Sequence, residues 1–195
     1  DLSLGYLPLI KDRETEHMMI TGTTGCGKTN AMNELIAQIR NREDKIIIVD
    51  TTQGFVDRFY DPRMDIILNP LDDRSKTWSL WEECTESYLF DEFAESLIPQ
   101  TGYDPFWSQA ARTVFSVTAQ SLDDQGDHSL KKLLDITVYS PLKDVYPYFS
   151  GTMAATMMDP DTDKTALSIR STIASAIKCF EYLKTSDQNF SIRQW

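Results

Sequence analysis

The stretch Met18-Met-Ile-Thr-Gly-Thr-Thr-Gly-Cys-Gly-Lys-Thr29 decides how this chain of 195 residues folds. A short apolar run leads directly into Gly22-x-x-x-x-Gly27-Lys28-Thr29, which is the full spacing of a phosphate-binding P-loop. A triphosphate must be wrapped by several backbone N–H groups at once, and glycine lets the chain approach that closely. The stretch therefore predicts a nucleotide-binding chain.

Each part of this loop has a predicted role. The Lys28 ammonium is expected against the β- and γ-phosphates, and the Thr29 hydroxyl is expected to ligate Mg²⁺, so these two residues are the predicted catalytic pair. The N-terminus of the following helix adds a partial positive charge. The predicted nucleotide-binding set is Gly22, Thr23, Thr24, Gly25, Cys26, Gly27, Lys28 and Thr29.

The surroundings of the loop are those that this chemistry requires. A strand is predicted over residues 17–21, and the following helix carries one apolar stripe at Met32, Leu35, Ile36 and Ile39. The run Lys45-Ile-Ile-Ile-Val-Asp50 is typical of a buried parallel strand. A short helix near residues 54–60 and a third strand over residues 65–68 follow. The pattern predicts an α/β P-loop fold with a parallel sheet, rather than a glycine-rich turn before an ordinary helix.

Asp50 has two interpretations that the sequence leaves open. An aspartate at the end of an apolar strand can orient Mg²⁺ through water, as in a Walker B motif. No Asp-Glu pair follows it, so an acidic residue that caps the strand end is the other interpretation.

The second part of the chain has a different pattern of apolar residues. After Trp78 the β-branched runs disappear and helical periodicity begins. The apolar stripes comprise Phe90, Phe93, Ala94 and Leu97; Trp107, Ala110, Ala111, Val114 and Thr118; and Ala166, Ile169, Ile173, Ala176, Ile177 and Phe180. These stripes predict a mostly helical region whose aromatic residues form a core.

Composition limits the function classes. With 41% apolar residues and no apolar stretch near the ~20 residues of a membrane span, the chain as given is expected to be globular and soluble. Three cysteines without metal-ligand spacing favour reduced thiols. The net charge is −11, and residues 78–195 alone carry −8, so the charge footprint of a nucleic-acid binder is missing overall.

Several stretches beyond the loop resemble the TraD/TrwB-type coupling proteins of bacterial conjugation and type IV secretion, in particular their F-plasmid-like branch. The matching stretches are Gly5-Tyr-Leu-Pro-Leu-Ile-Lys-Asp12, Tyr60-Asp-Pro-Arg63, Ile67-Leu-Asn-Pro-Leu-Asp72, Trp78-Ser-Leu-Trp-Glu-Glu-Cys84, Asp104-Pro-Phe-Trp107, Lys164-Thr-Ala-Leu-Ser-Ile-Arg170 and Phe190-Ser-Ile-Arg-Gln-Trp195. The likeness spans essentially the whole chain, and these stretches are more specific than the P-loop.

The resemblance implies a RecA-like motor ATPase with an inserted all-α domain. It implies residues 1–77 as the first half of the nucleotide-binding domain, 78–185 as the all-α domain and 186–195 as the return segment. ATP and Mg²⁺ are the implied cofactors, and a homo-hexamer at the cytoplasmic face of the inner membrane is the implied setting, with no membrane contact by this part. The implied partners are relaxase and relaxosome proteins and single-stranded DNA. In the family, the Asp-Glu pair lies beyond the Phe190–Trp195 motif, so slow hydrolysis is expected here.

Other functions remain open from the sequence. The acidic helical region can be a docking module for basic partners without motor activity of its own, and a P-loop kinase with a helical lid also fits the loop. A G protein is disfavoured because no Asn-Lys-x-Asp segment is present. Arg170 is expected on a solvated helix surface, paired with an acid, or else facing a neighbouring subunit or DNA. His17 and His128 are expected to be structural.

Overall fold

A computed structural model describes residues 2–9, 16–100, 104–184 and 189–195. The chain divides into two compact units, Asp1–Asp65 and Ile66–Trp195, which are described separately.

The first unit is organised around helix α1 (Lys28–Asn41), which presents the P-loop at its N-terminus. A short antiparallel hairpin, β1 (Ser3–Leu4) and β2 (Leu7–Pro8), is attached to this helix. The Gln38 amide accepts from Ser3 N–H at 2.8 Å and donates to the Ser3 carbonyl at 2.8 Å, and Glu34 accepts from Gly5 N–H. Of the predicted apolar stripe, Leu35 and Ile36 are buried and Ile39 is partly buried, whereas Met32 is exposed.

The C-terminal end of α1 is joined to the turn that closes the first unit. Arg40 Nη1 donates to both carboxylate oxygens of Asp65, at 2.7 and 2.9 Å, and Asp65 also accepts from Asp61 N–H. Helix α2 (Gly54–Phe59) precedes that turn and lies where the short helix was predicted.

The predicted strands of the first unit are not regular strands. Residues 17–21, 45–50 and 65–68 carry no regular secondary structure, and the ladder pairs among the described residues involve only four two-residue strands. A parallel strand is stabilised by hydrogen-bonded strands on its sides. In the described chain these segments form no ladder with another strand, although the Ile67 carbonyl accepts from Lys76 N–H at 2.9 Å. As a consequence Ile47 and Val49 are 74% and 88% exposed.

The second unit is helical. Its described residues contain six α-helices: α3 (Leu80–Glu83), α4 (Ser87–Leu97), α5 (Phe106–Asp124), α6 (Leu130–Leu134), α7 (Leu142–Phe149) and α8 (Asp163–Ile177). A π-helix (Asp135–Tyr139) continues α6, and 3₁₀ helices span Pro160–Thr162 and Lys178–Tyr182. No helix in the described part of the chain is long and apolar enough to cross a bilayer.

Helix α5 is the centre of this unit. It packs against both α4 and α8, and Ala111, Val114 and Phe115 of α5 are fully buried. The helices predicted from the apolar stripes are α4, α5 and α8, and residues of their stripes join residues of α3, α6 and α7 in one continuous core. These helices pack together because an apolar face at helical spacing is stable only when it is packed against another apolar face.

The two ends of the helical region are held side by side. Strand β3 (Thr77–Trp78) pairs in parallel with β4 (Asn189–Phe190), in the register Thr77↔Asn189 and Trp78↔Phe190. The chain therefore leaves this short ladder into the helices and returns to it in the same direction.

Candidate nucleotide-binding site

The phosphate-loop sequence adopts a conformation that depends on its glycines. Gly25 and Gly27 have φ values of 82° and 94°, in the left-handed region that disfavours side chains. Gly22 is required for another reason, because a Cβ built there would lie 2.4 Å from the Cys26 Sγ. Cys26 N–H closes the loop by donating to the Thr23 carbonyl at 3.3 Å.

The first turn of α1 is open to an anion. Its N-cap is Gly27, which offers no side-chain cap, and the first turn contains no acidic residue. No described residue accepts a hydrogen bond from the backbone N–H of Lys28, Thr29 or Asn30. Uncapped N–H groups and the helix macrodipole together attract negative charge to this position.

Lys28 lies folded over the loop. Its Nζ donates to the carbonyl oxygens of Gly22 and Thr23, both at 2.8 Å, and lies 3.9 Å from the Cys26 Sγ. The ammonium is thus positioned above the same backbone whose N–H groups line the loop. Thr29 follows it on the exposed first turn of α1, so the structure brings together the residues that the motif named.

Asp50 caps helix α2. Its carboxylate accepts from the backbone N–H of Thr52, Phe55 and Val56, at 3.1, 2.8 and 3.2 Å, and from the Thr52 hydroxyl. Partial desolvation raises the pKa of Asp50, but these hydrogen bonds outweigh it and the net shift is downward. The four donors hold the carboxylate at the N-terminus of α2, so Asp50 caps a helix and not the strand end of the second interpretation. Its role towards Mg²⁺ stays a prediction.

A comparison with protein families gives a match over the full chain. Residues 1–195 match the family described as the type IV secretion-system coupling protein DNA-binding domain. The chain belongs to this family. The coupling protein TraD of Escherichia coli (strain K12) is 36% identical over 199 residues, which cover all of this chain and 28% of TraD.

Solved structures of another coupling protein have the same fold. The plasmid coupling protein TrwB, in complex with the non-hydrolysable GTP analogue GDPNP, superposes with a TM-score of 0.86 at 29% identity, covering all of this chain and 47% of TrwB. TrwB in complex with ADP and Mg²⁺ superposes with a TM-score of 0.85 over the same shares. This chain therefore spans about half the length of TrwB and less of TraD.

These comparisons confirm the resemblance stated from the sequence and the predicted fold class, a P-loop α/β fold with an inserted helical region.

Two of the coupling-protein stretches contact each other in the structure. Glu83, in the stretch Trp78–Cys84, accepts from Ile192 N–H at 2.6 Å, Arg193 N–H at 3.1 Å and Trp78 Nε1 at 3.1 Å. One carboxylate thus fastens the stretch that begins the helical region to the stretch that ends it. Of the stretch 5–12, residues 10–12 lie outside the described residues. The same holds for residues 101–103 and 185–188 of the predicted all-α and return segments.

Two further motif stretches are arginine-closed turns. In residues 60–63, Arg63 donates through its backbone N–H and its guanidinium to Asp61, and Arg74 does the same to Asp72 directly after residues 67–72. The Arg74 hydrogen bonds lower the pKa of Asp72 to about 2, and those of Arg63 lower the pKa of Asp61 well below its usual range. Both carboxylates are acceptors that shape a turn.

The expectation for Arg170 was wrong. Arg170 is 8% exposed and pairs with no described acid. Its guanidinium donates to the carbonyls of Thr137, Ile136 and Ser140, at 3.2, 3.1 and 2.6 Å, at the end of the π-helix. The negative end of a helix stabilises a cation, and these carbonyls replace the carboxylate that a buried arginine otherwise needs. Burial lowers the pKa of this guanidinium.

His128 has a structural environment, whereas His17 is exposed. His128 Nε2 lies 2.9 Å from the Asp123 Oδ1, and its ring stacks on Trp81 with centroids 5.3 Å apart. All three cysteines are free thiols: Cys84 is buried, which raises the pKa of its thiol to about 11, while Cys26 is exposed in the loop.

Sequence reasoning missed the roles of Glu83 and Arg170. Both lie in motif stretches, which was a signal of importance but not of purpose. Their backbone partners lie thirty or more positions away, and such contacts leave no local pattern.

Proposed function

We propose that this chain binds ATP with Mg²⁺ through residues 22–29. The observation that carries the proposal is the uncapped N-terminus of α1, which follows a loop that has two left-handed glycines and whose carbonyls at Gly22 and Thr23 accept from the Lys28 ammonium. Thr23, Thr24, Gly25, Cys26 and Gly27 would supply backbone N–H groups to the phosphates. Binding of nucleotide analogues and of ADP with Mg²⁺ by TrwB supports the proposal.

The side chains of this site would divide the work. Lys28 would contact the β- and γ-phosphates, and the Thr29 hydroxyl would ligate Mg²⁺, which neutralises phosphate charge when bound. Asp50 would serve as the cap of α2 rather than as a metal ligand, because its oxygens already accept four hydrogen bonds. A carboxylate held in this way is a poor base for water, so we expect slow ATP hydrolysis by this chain.

The nucleotide proposal is tested with a fluorescent ATP analogue. Titration of methylanthraniloyl-ATP with Mg²⁺ is expected to give saturable binding to the wild type and a loss of at least about tenfold in affinity for Lys28→Ala. Lys45→Ala removes a lysine from the same unit outside the loop and is expected to bind normally. Hydrolysis is followed in the same samples. Equal binding by wild type and Lys28→Ala would refute the site, and rapid turnover would return Asp50 to consideration as a catalytic group.

We further propose that the intact protein is a motor that transfers a relaxase-bound DNA strand during conjugation or type IV secretion. In this proposal it acts as a homo-hexamer at the cytoplasmic face of the inner membrane. Residues 1–77 belong to the nucleotide-binding domain, 78–185 form the all-α domain and 186–195 return to the first domain. Family membership supports the motor, and the parallel β3–β4 ladder and the Glu83 contacts support an insertion whose ends meet.

A second function is proposed for the helical region itself, namely docking of relaxosome or substrate proteins. The acidic charge of residues 78–195 favours it, because a basic protein is attracted where a phosphate backbone is repelled. Salt dependence separates the two activities. DNA contact is expected to weaken steeply as salt rises, whereas a docking site binds a basic relaxosome protein in the absence of DNA.

A further inference from the structure

A polar groove of about 610 Å³ lies between the C-terminal half of α5 and the end of α7. Gln120, Ser121, Asp124 and Gln125 form the α5 wall, since these positions fall on one face of the helix, and Tyr148 and Thr152 contribute to the opposite wall. The lining contains no lysine, arginine or histidine. The groove belongs wholly to the second unit, and it is remote in sequence from the P-loop.

Three side chains of this groove already donate hydrogen bonds to other residues. The Gln120 amide donates to the Ser87 carbonyl at 2.8 Å, the Gln125 amide donates to the Ser121 hydroxyl at 3.1 Å, and the Thr152 hydroxyl donates to the Phe149 carbonyl. The side-chain carbonyl oxygens of Gln120 and Gln125 accept nothing from the described residues. These two amide oxygens are therefore available as acceptors in the groove.

Asp124 supplies the charge of the groove. The other two acids near this end of α5 have cationic or histidine partners, because Asp123 meets His128 and Asp127 accepts from Lys132 at 2.7 Å. Asp124 is exposed and has no partner among the described residues. It is also the last residue of α5, whose last turn has no basic side chain, so the negative end of the helix dipole adds to its charge.

We propose that this groove binds an arginine side chain presented by a partner protein. A guanidinium carries five N–H donors in a planar fork, which matches one carboxylate flanked by two amide oxygens. A phosphate does not match, because the lining offers no cation and Asp124 repels it. The inference rests on the proposed docking function of the helical region and names the chemical group that this surface selects.

The experiment uses a fluorescein-labelled peptide of alternating arginine and serine, titrated with this chain at low salt by fluorescence anisotropy. Asp124→Asn is expected to weaken binding about tenfold, since a charge-assisted pair is lost. Glu92→Gln removes one charge from an exposed position on α4 outside the groove and is expected to change binding by less than about twofold. A peptide with citrulline in place of arginine keeps the shape without the charge and is expected not to bind.

Backbone amide shifts in ¹H–¹⁵N spectra give the position of binding, with the largest changes expected at Gln120, Asp124 and Gln125. Equal binding by wild type and Asp124→Asn would overturn the assignment of this groove as the arginine site. So would a Glu92→Gln variant weakened as much as Asp124→Asn, or displacement of the peptide by a single-stranded oligonucleotide. No peptide binding at all would overturn it too. The docking function has a separate test, since it fails only if the basic relaxosome protein does not bind the wild-type chain.

Discussion

Gly22→Ala tests the geometry of the phosphate loop directly. An alanine Cβ at this position would lie 2.4 Å from the Cys26 Sγ but 3.6 Å from the Cys26 Cβ, an ordinary contact distance. The clash is therefore with one sulfur atom. The φ of Gly22 is 159°, at the border of extended backbone, so steric overlap rather than backbone strain is the main effect.

The size of the effect follows from what the sulfur must do. Relief of the overlap forces the Cys26 side chain out of its rotamer or shifts the loop, at about 1 kcal/mol. That is about a fivefold loss of affinity for methylanthraniloyl-ATP, provided that nucleotide binds the loop as it is folded here. Cys26→Ala alone is expected to change affinity by less than about twofold, because it leaves the backbone N–H groups in place.

The double variant Gly22→Ala with Cys26→Ala decides the argument. Removal of Sγ leaves the added methyl group in van der Waals contact only, so affinity is expected to return to within about twofold of Cys26→Ala. All four proteins are titrated in parallel with the fluorescent analogue and Mg²⁺. A double variant as weak as Gly22→Ala, or a Gly22→Ala protein that binds like the wild type, would show that the Gly22 and Cys26 contact does not shape the site.

Three further predictions concern stability, measured by urea unfolding. Arg170→Met is expected to cost about 3 kcal/mol, because three carbonyls lose a charged donor, and a cost below about 1 kcal/mol would contradict that account. Glu83→Ala is expected to lower the free energy of unfolding by about 2 kcal/mol, while the neighbouring Glu82→Ala is expected to change it by less than about 0.5 kcal/mol. Equal losses would show that the Glu83 contacts do not hold the two ends of the helical region together. The pKa of Asp72 is about 2 when folded and about 3.9 when unfolded, so its contribution is complete above pH ~4 and is lost as pH falls towards 2. Asp72→Asn is expected to weaken the dependence of the urea unfolding midpoint on pH over that range. A midpoint that depends on pH as steeply as that of the wild type would show that other groups cause the acid dependence.

The loop and the helices could be predicted because their signals are local. Glycines at fixed offsets before Lys28 specify a turn whose conformation depends on the residues within it. Apolar stripes likewise predict α4, α5 and α8, because a helix makes its backbone hydrogen bonds within itself and needs only one buried face.

The contacts of Arg170 and Glu83 could not be predicted because they are long-range. The residues around Arg170 are those of an ordinary surface turn of a helix. Its partners are carbonyls at a π-helix, and no local sequence pattern predicts that π-helix. Glu83 is one of two adjacent glutamates, and only the return of the chain through β4 selects it over Glu82.

The apolar run of residues 45–50 has the composition of a strand but does not form one in the structure. Its composition is right for a strand buried on both faces, yet Ile47 and Val49 are 74% and 88% exposed and the run forms no ladder in the described chain. Composition reports the environment to which a segment is suited, whereas a strand also needs a neighbour to pair with. An exposed apolar run of this kind is suited to an interface. The P-loop does not depend on such pairing for its own turn, because the contacts that close it all lie within residues 22–31.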